Sequence, residues 1–196
     1  MKKDIILAGV GGQGILTIAA VIGKAALNAG LQLKQAEVHG MSQRGGDVHS
    51  NLRISDVEIL SDLIPLGKAD IIISIEPMES LRYLPMLSKD GWLITNTEPY
   101  INIANYPDIS EIIKAVEALP KHINLDANRI AKDLGAVKVA NIVILGAASP
   151  FLGLSLADLE EAIRFIFGSK GEAIVNLNLK ALSAGKEYSD SHAGLN

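Results

Sequence analysis

A short apolar run, Asp4-Ile5-Ile6-Leu7-Ala8, passes directly into Gly9-Val10-Gly11-Gly12-Gln13-Gly14, and an apolar segment rich in small residues follows from Ile15 to Ala29. Five residues are too few for a helix, so the first run predicts a buried strand, and the glycines supply the sharp turn that feeds a helix. A strand that ends in a helix cannot form a tight hairpin with its successor. The next strand is reached by a crossover, and the expected class is α/β with a parallel sheet. Ala19, Ala20, Gly23, Ala25 and Ala26 predict a helix lying close to that sheet, and Gly30 predicts its end.

Composition agrees with that class and removes others. Hydrophobic residues make up 48% of the 196 and charged ones 20%, while aromatics are only 4%, which suits Ile/Leu/Val/Ala layers around one core. A net charge of −4, mixed along the chain, offers no basic footprint for nucleic acid or an anionic membrane. No apolar stretch approaches the roughly 20 residues of a bilayer span, and Met1-Lys2-Lys3-Asp4 leads into a strand and not into a signal peptide, so a cytoplasmic location is expected. Without cysteine the chain has no thiolate for a disulfide, an iron–sulfur cluster or nucleophilic catalysis. His39, His49, His122 and His192 lack metal-site spacing and read as surface or structural residues, so no metal ligand is assigned.

The remaining pattern predicts a Rossmann-like single domain over 1–184, with a mostly parallel sheet, a hairpin after the second strand and a helical C-terminal part. Strands are expected at 33–38, 48–54, 69–75, 91–96 and 123–125, with Ser55-Asp56 turning a hairpin into a further strand at 57–60. Helices are expected from Pro77 to Leu84, from Asp108 to Ala118, after Asp126, over 139–148, over 156–167 behind the Ser155 cap, and from Gly171 to about Ala184. Residues 185–196 read as a polar, flexible tail.

Two glycine segments carry the candidate chemistry. Gly9, Gly11 and Gly14 satisfy G-x-G-x-x-G, and bare amides at a helix start attract phosphate or carboxylate, although the same turn can serve only to pack strand against helix. Gln13 adds an amide that could reach a ligand or a neighbouring loop. The second segment, His39-Gly40-Met41-Ser42-Gln43-Arg44-Gly45-Gly46, leaves the carboxyl end of a strand, where ligands of α/β proteins collect. Its Arg44 can offer a guanidinium fork to a carboxylate or phosphate beside the donors of Ser42 and Gln43, or else tie the loop to Glu37 or Asp47. Glu37 lies about 20 residues beyond the first turn, near where a dinucleotide fold keeps its ribose acid, but a second glycine loop follows it where a crossover helix would be expected.

Gly9 through Gly14 together with Glu37 through Gly46 resembles the gamma-type subunits of 2-oxoacid:ferredoxin oxidoreductases, in particular the indolepyruvate type. Agreement extends to Ser61-Asp62-Leu63-Ile64-Pro65, Gly67-Lys68-Ala69-Asp70, Glu76-Pro77-Met78-Glu79, Asn141 and Leu145-Gly146-Ala147. The resemblance implies a domain that works inside a larger enzyme, one that decarboxylates a 2-oxoacid on thiamine diphosphate, reduces ferredoxin through iron–sulfur clusters and releases an acyl-coenzyme A. It implies that thiamine diphosphate, its magnesium and the clusters sit on a larger partner subunit. This chain has neither cysteine nor a Gly-Asp-Gly with a downstream Asn-Asn, and is expected to bind no cofactor tightly by itself. It further implies that Gly9, Gly11, Gly12, Gln13, Gly14, Ser42, Gln43, Arg44, Gly45 and Gly46 face the partner, the shared active-site entrance or coenzyme A. The rival readings are a stand-alone NAD(P)-binding oxidoreductase and an assembly subunit with no ligand. Tubulin-like GTPases and ubiquitin-activating-like adenylyltransferases share a glycine turn, but this chain lacks the former's second glycine loop and the latter's zinc cysteines.

Overall fold

The computed structural model describes residues 1–40 and 45–192. Six strands form one sheet: β1 (Lys2–Val10), β2 (Gln32–His39), β3 (Asp47–Ser55), β4 (Ala69–Ser74), β5 (Leu87–Asn96) and β6 (His122–Leu125), in the order β2-β3-β1-β4-β5-β6. β1, β4, β5 and β6 pair in parallel, whereas β3 runs antiparallel to both β1 and β2. The sheet is therefore mostly parallel, as the strand-turn-helix opening predicts, with a single reversed strand inserted beside β1.

That insertion corrects the expected hairpin. The hairpin is β2 with β3, folded about residues 40–46, and Val57–Leu60 forms no strand but belongs to an irregular strap leading to β4. Glu37 of β2 pairs with Ser50 on one side of β3 and Ile6 of β1 with Asn51 on the other, so β3 takes the place beside β1 that a simple crossover would have given to β2.

Alternation along the central strands explains how both faces are covered. Ile5 and Leu7 of β1 and Ile71 and Ile73 of β4 join one cluster with α1 (Ile15–Asn28), α5 (Ala140–Ala148), α6 (Leu156–Phe167) and α7 (Glu172–His192). Ile6, Ile72 and Leu93 face the other way, against the side of α2 (Pro77–Arg82) and α3 (Ile109–Glu117), where Leu81, Val116 and Leu119 close a smaller core. Each fully buried Ile or Leu side chain contributes about 1.5–3 kcal/mol by leaving water. The thicker layer holds most of them.

α5 is the centre of that layer, with all nine of its residues buried. α7 crosses it at the distance only glycine permits: a Cβ on Gly146 would collide with the Leu182 carbonyl, and one on Gly185 with the Val143 carbonyl. Residues 185–192, expected as a flexible tail, are instead the last turns of α7, with Ser189 buried and the Tyr188 hydroxyl donating to the Asn124 carbonyl at 3.0 Å. The remaining tail residues, 193–196, lie outside the described residues.

Candidate functional site

All the parallel strands end at one edge, and the first glycine turn sits there between β1 and α1. Gly14, at φ +89°, is the residue before α1, and a Cβ at this position would meet Asn141 Nδ2 at 2.6 Å. Asn141 Nδ2 in turn donates to the Gly14 carbonyl at 3.3 Å, which ties the start of α5 to the start of α1. Gly12, at φ +101°, faces open space, so its backbone is accessible to whatever approaches the edge. An L-residue is strained at either angle.

Gln13 does something other than expected. Its Oε1 accepts from the Val10 amide at 2.8 Å, and Gly9 has no Cβ because Gln13 Oε1 would stand 2.9 Å from it. The carboxamide thus braces its own turn, and only its NH2 remains for a ligand. The Gly11 amide is engaged as well, donating to the Gly46 carbonyl at 2.9 Å. That bond joins the two glycine segments directly. From the other side Asn102 Nδ2 donates to the Gly45 carbonyl at 2.5 Å, bringing in the loop between β5 and α3. Ser42, Gln43 and Arg44, and hence any tie from Arg44 to Glu37 or Asp47, lie outside the described residues.

Beside the joined turns opens a cleft of about 740 Å³, lined by the 12–14 turn, Thr17, Tyr100, residues 136–141 and the face of α7 that carries Ile174, Leu177 and Asn178. The starts of α1 and α5 both border it, and their partial positive charge points toward it. Lys138 and Lys170 are the cationic side chains among the described residues that line it, and none of those residues carries a carboxylate. In a chain of net charge −4 this is a local reversal of sign, and the apolar wall of Phe167, Ile174 and Leu177 adds room for an uncharged body.

On the opposite face of the sheet the hairpin is held by a polar cluster that the sequence did not disclose. The Tyr83 hydroxyl donates to Asp47 Oδ2 at 3.0 Å and lies 2.9 Å from His49 Nδ1. A carboxylate only accepts, so the phenol proton goes to Asp47 and the His49 Nδ1 must carry the hydrogen that reaches the phenol oxygen. Burial holds His49 below its ordinary value, against the opposing pull of Asp47, so the ring is neutral near pH 7. Burial, then the hydrogen bond to Asp47, pushes the Tyr83 phenol upward and keeps its proton in place. Fully buried Glu76 caps α2 by accepting from the Glu79 amide at 2.8 Å, and it also accepts from the Tyr100 amide at 3.3 Å and from the Tyr106 hydroxyl. Burial raises the neighbouring Glu79 carboxyl although Arg82 binds it at 2.7 Å. Glu76-Pro77 does signal a helix start in the sequence. Its tyrosine partners, 24 and 30 residues away, carry no local sign.

Glu37 is not presented as a ribose ligand. β3 separates its strand from β1, which at about 4.8 Å per strand moves it about 10 Å from the first glycine turn, and its Oε1 lies 2.5 Å from His39 Nε2. Of the other histidines, His122 Nδ1 contacts the Leu119 carbonyl at 2.7 Å and His192 stacks on Tyr188. Among the described residues no three His, Asp or Glu side chains gather as a metal site, and no helix is long and apolar enough to cross a membrane.

Comparison with known proteins gives a consistent result. The sequence profile of the pyruvate ferredoxin/flavodoxin oxidoreductases matches residues 4–188. The indolepyruvate oxidoreductase subunit IorB of Archaeoglobus fulgidus is 42% identical over 194 residues, covering 94% of each chain. Its namesake in Pyrococcus horikoshii is 40% identical over 196 residues, covering 94% of this chain and 95% of that one. Among solved structures, the gamma subunit of a keto/oxoacid ferredoxin oxidoreductase from Geobacter sulfurreducens has a TM-score of 0.72 at 27% identity, over 96% of this chain and 99% of that one. A 2-oxoglutarate:ferredoxin oxidoreductase from Magnetococcus marinus, solved with 2-oxoglutarate, coenzyme A and succinyl-CoA bound, has a TM-score of 0.77 at 22% identity over 97% of this chain. There the likeness is one of fold, and this chain spans 31% of that longer one.

Proposed function

The chain belongs to the pyruvate ferredoxin/flavodoxin oxidoreductase family, and on that premise we propose that it is the subunit without clusters or thiamine of a 2-oxoacid:ferredoxin oxidoreductase acting on indolepyruvate or a similar aryl pyruvate. The complex oxidatively decarboxylates the 2-oxoacid to an acyl-coenzyme A and passes the electrons to ferredoxin. Thiamine diphosphate, magnesium and the iron–sulfur clusters belong to a larger partner subunit, and the isolated chain is inactive.

The observation that carries this reading is the bond from the Gly11 amide to the Gly46 carbonyl, which joins the two glycine segments that carry the family resemblance into one edge, beside a cleft with no carboxylate among its described lining residues. Such an edge can meet a partner's active site as a unit. Lys138, Lys170 and two helix starts favour an anionic group there, either the phosphates of coenzyme A or the carboxylate of the substrate. Arg44, two residues from Gly46, is the proposed anion hook at the entrance, with Ser42 and Gln43 as neutral donors.

Reconstitution with the larger subunit tests it. Arg44→Ala is expected to lower kcat/KM at least tenfold, about 1.4 kcal/mol of transition-state stabilisation, and Lys138→Glu with Lys170→Glu to raise the KM of the anionic co-substrate. Unchanged turnover and unchanged apparent affinities for 2-oxoacid and coenzyme A in both the Arg44 variant and the double-lysine variant would overturn the reading.

A further inference from the structure

The Ser61-Asp62-Leu63-Ile64-Pro65 and Gly67-Lys68-Ala69-Asp70 motifs have no part in the glycine edge. They lie in the strap between β3 and β4 and run into the first residues of β4, at the opposite end of the sheet, since Ser55 pairs with Lys2 while Asp47 pairs with Val10. β1 has nine residues at roughly 3.3 Å each, so strap and glycine edge are about 30 Å apart.

Strap residues divide sharply by exposure. Ile59 and Ile64 are buried as anchors, whereas Val57 (64%), Leu60 (85%), Leu63 (57%) and Leu66 (73%) stand in water. A loop that exposed these by default would be loosely held. This one is braced by Arg53, which donates from Nη1 to the Ser61 carbonyl at 2.9 Å and the Leu63 carbonyl at 3.0 Å while its Nε is fixed by buried Asp4 at 2.7 Å. Asn51 Oδ1 accepts from the Ile64 amide at 3.0 Å, and the Gly67 amide donates to the Pro85 carbonyl at 3.0 Å. Burying an ion pair costs several kcal/mol of desolvation, and here it fixes a segment whose own leucines point outward. Four aliphatic side chains held rigid in water within ten residues have the character of a binding patch.

We infer that this strap is a second docking surface, and that it fits an apolar recess rimmed by lysine or arginine on the larger subunit. Glu58 and Asp62 are exposed between the aliphatic residues and make no ion pair among the described residues, whereas Asp56 is held by the N-terminal ammonium. Lys68, the exposed cation of the strap, lies beyond the last of the four aliphatic residues, so on a second copy docked about a twofold axis through the patch the two acids would approach each other and repel; a basic-rimmed surface satisfies them. The inference rests on the functional reading for the existence of that subunit and adds a contact about 30 Å from the one already proposed.

The test titrates the full chain against the larger subunit by interferometry, with melting of the isolated chain as a folding control. Leu60→Asp with Leu66→Asp is expected to raise the Kd at least tenfold with an unchanged melting midpoint. Glu58→Lys with Asp62→Lys is expected to raise it and to flatten its dependence on salt. Wild-type affinity in the leucine variant overturns this inference alone. So does a wild-type dimer of the isolated chain that the same variant converts to monomer with affinity for the larger subunit intact, which would make a second copy the occupant. Failure of the wild-type chain to bind the larger subunit overturns the functional reading and this inference with it.

Discussion

Tyr83 links an aspartate and a histidine on β3 to the end of α2, and through Asp47 it fixes the base of the hairpin whose Gly46 carbonyl engages the first glycine turn. The pH dependence of this link follows from His49. Its folded-state value lies below the ordinary 6.5, so the unfolded chain binds the proton more readily. The contribution is complete above 6.5 and is lost as pH falls toward the folded value. Glu79 has the opposite sign: its raised carboxyl contributes fully below its ordinary 4.5 and loses that contribution as pH rises through the folded value. Destabilisation between about pH 7.5 and about pH 5.5 is therefore assigned to His49. In His49→Asn the carboxamide still donates to the phenol oxygen but does not titrate, so urea midpoints measured across this window should drop less than in the wild type. Equal slopes in both proteins would refute the assignment. None of this could be read from the sequence, because Tyr83 stands 34 and 36 residues from its two partners and each residue alone has an ordinary surface reading.

At the scale of elements, local signals served well where an element is defined by its own chain. Ser155 before α6 accepts from the Asp158 amide at 3.1 Å, as a capping box requires, and Gly30 ends α1 at φ +74°. They failed where a neighbour decides. Val57–Leu60 has a strand-like pattern, but β3, the strand it would have to turn back on, already has β2 and β1 on its two sides. Gly185 looks like a stop signal, yet α5 needs a helix face without Cβ atoms to pack upon, and packing overrides the glycine's low propensity. Gly185→Ala should therefore destabilise the protein although alanine is the better helix former, by about 1–3 kcal/mol for overpacking against the Val143 carbonyl. Truncation after Gly185 should destabilise it too, by removing buried Ser189 and the Tyr188 bond to the Asn124 carbonyl. A melting midpoint unchanged by either alteration would return these residues to the status of a tail.

At the scale of the whole molecule, the reversed strand separates this fold from the dinucleotide enzymes whose opening motif it shares. A dinucleotide site needs the glycine turn's amides for the pyrophosphate and an acid at the end of the adjacent strand for the ribose. Here the Gly11 amide is bound to Gly46, the Val10 amide to Gln13, and β3 displaces β2 with its Glu37 from β1. The hairpin that displaces the acid also closes against the turn, so one insertion both moves Glu37 away from β1 and occupies the Gly11 amide. The cleft survives beside them as an anion-favouring surface without the acid that would select a ribose. The isolated chain is thus expected to give no saturable signal with NAD or NADP in titration calorimetry at millimolar ligand, and the Glu37→Ala variant should behave identically. Micromolar binding of either nucleotide, weakened by Glu37→Ala, would mean that β3 does not block the site and would revive the stand-alone oxidoreductase.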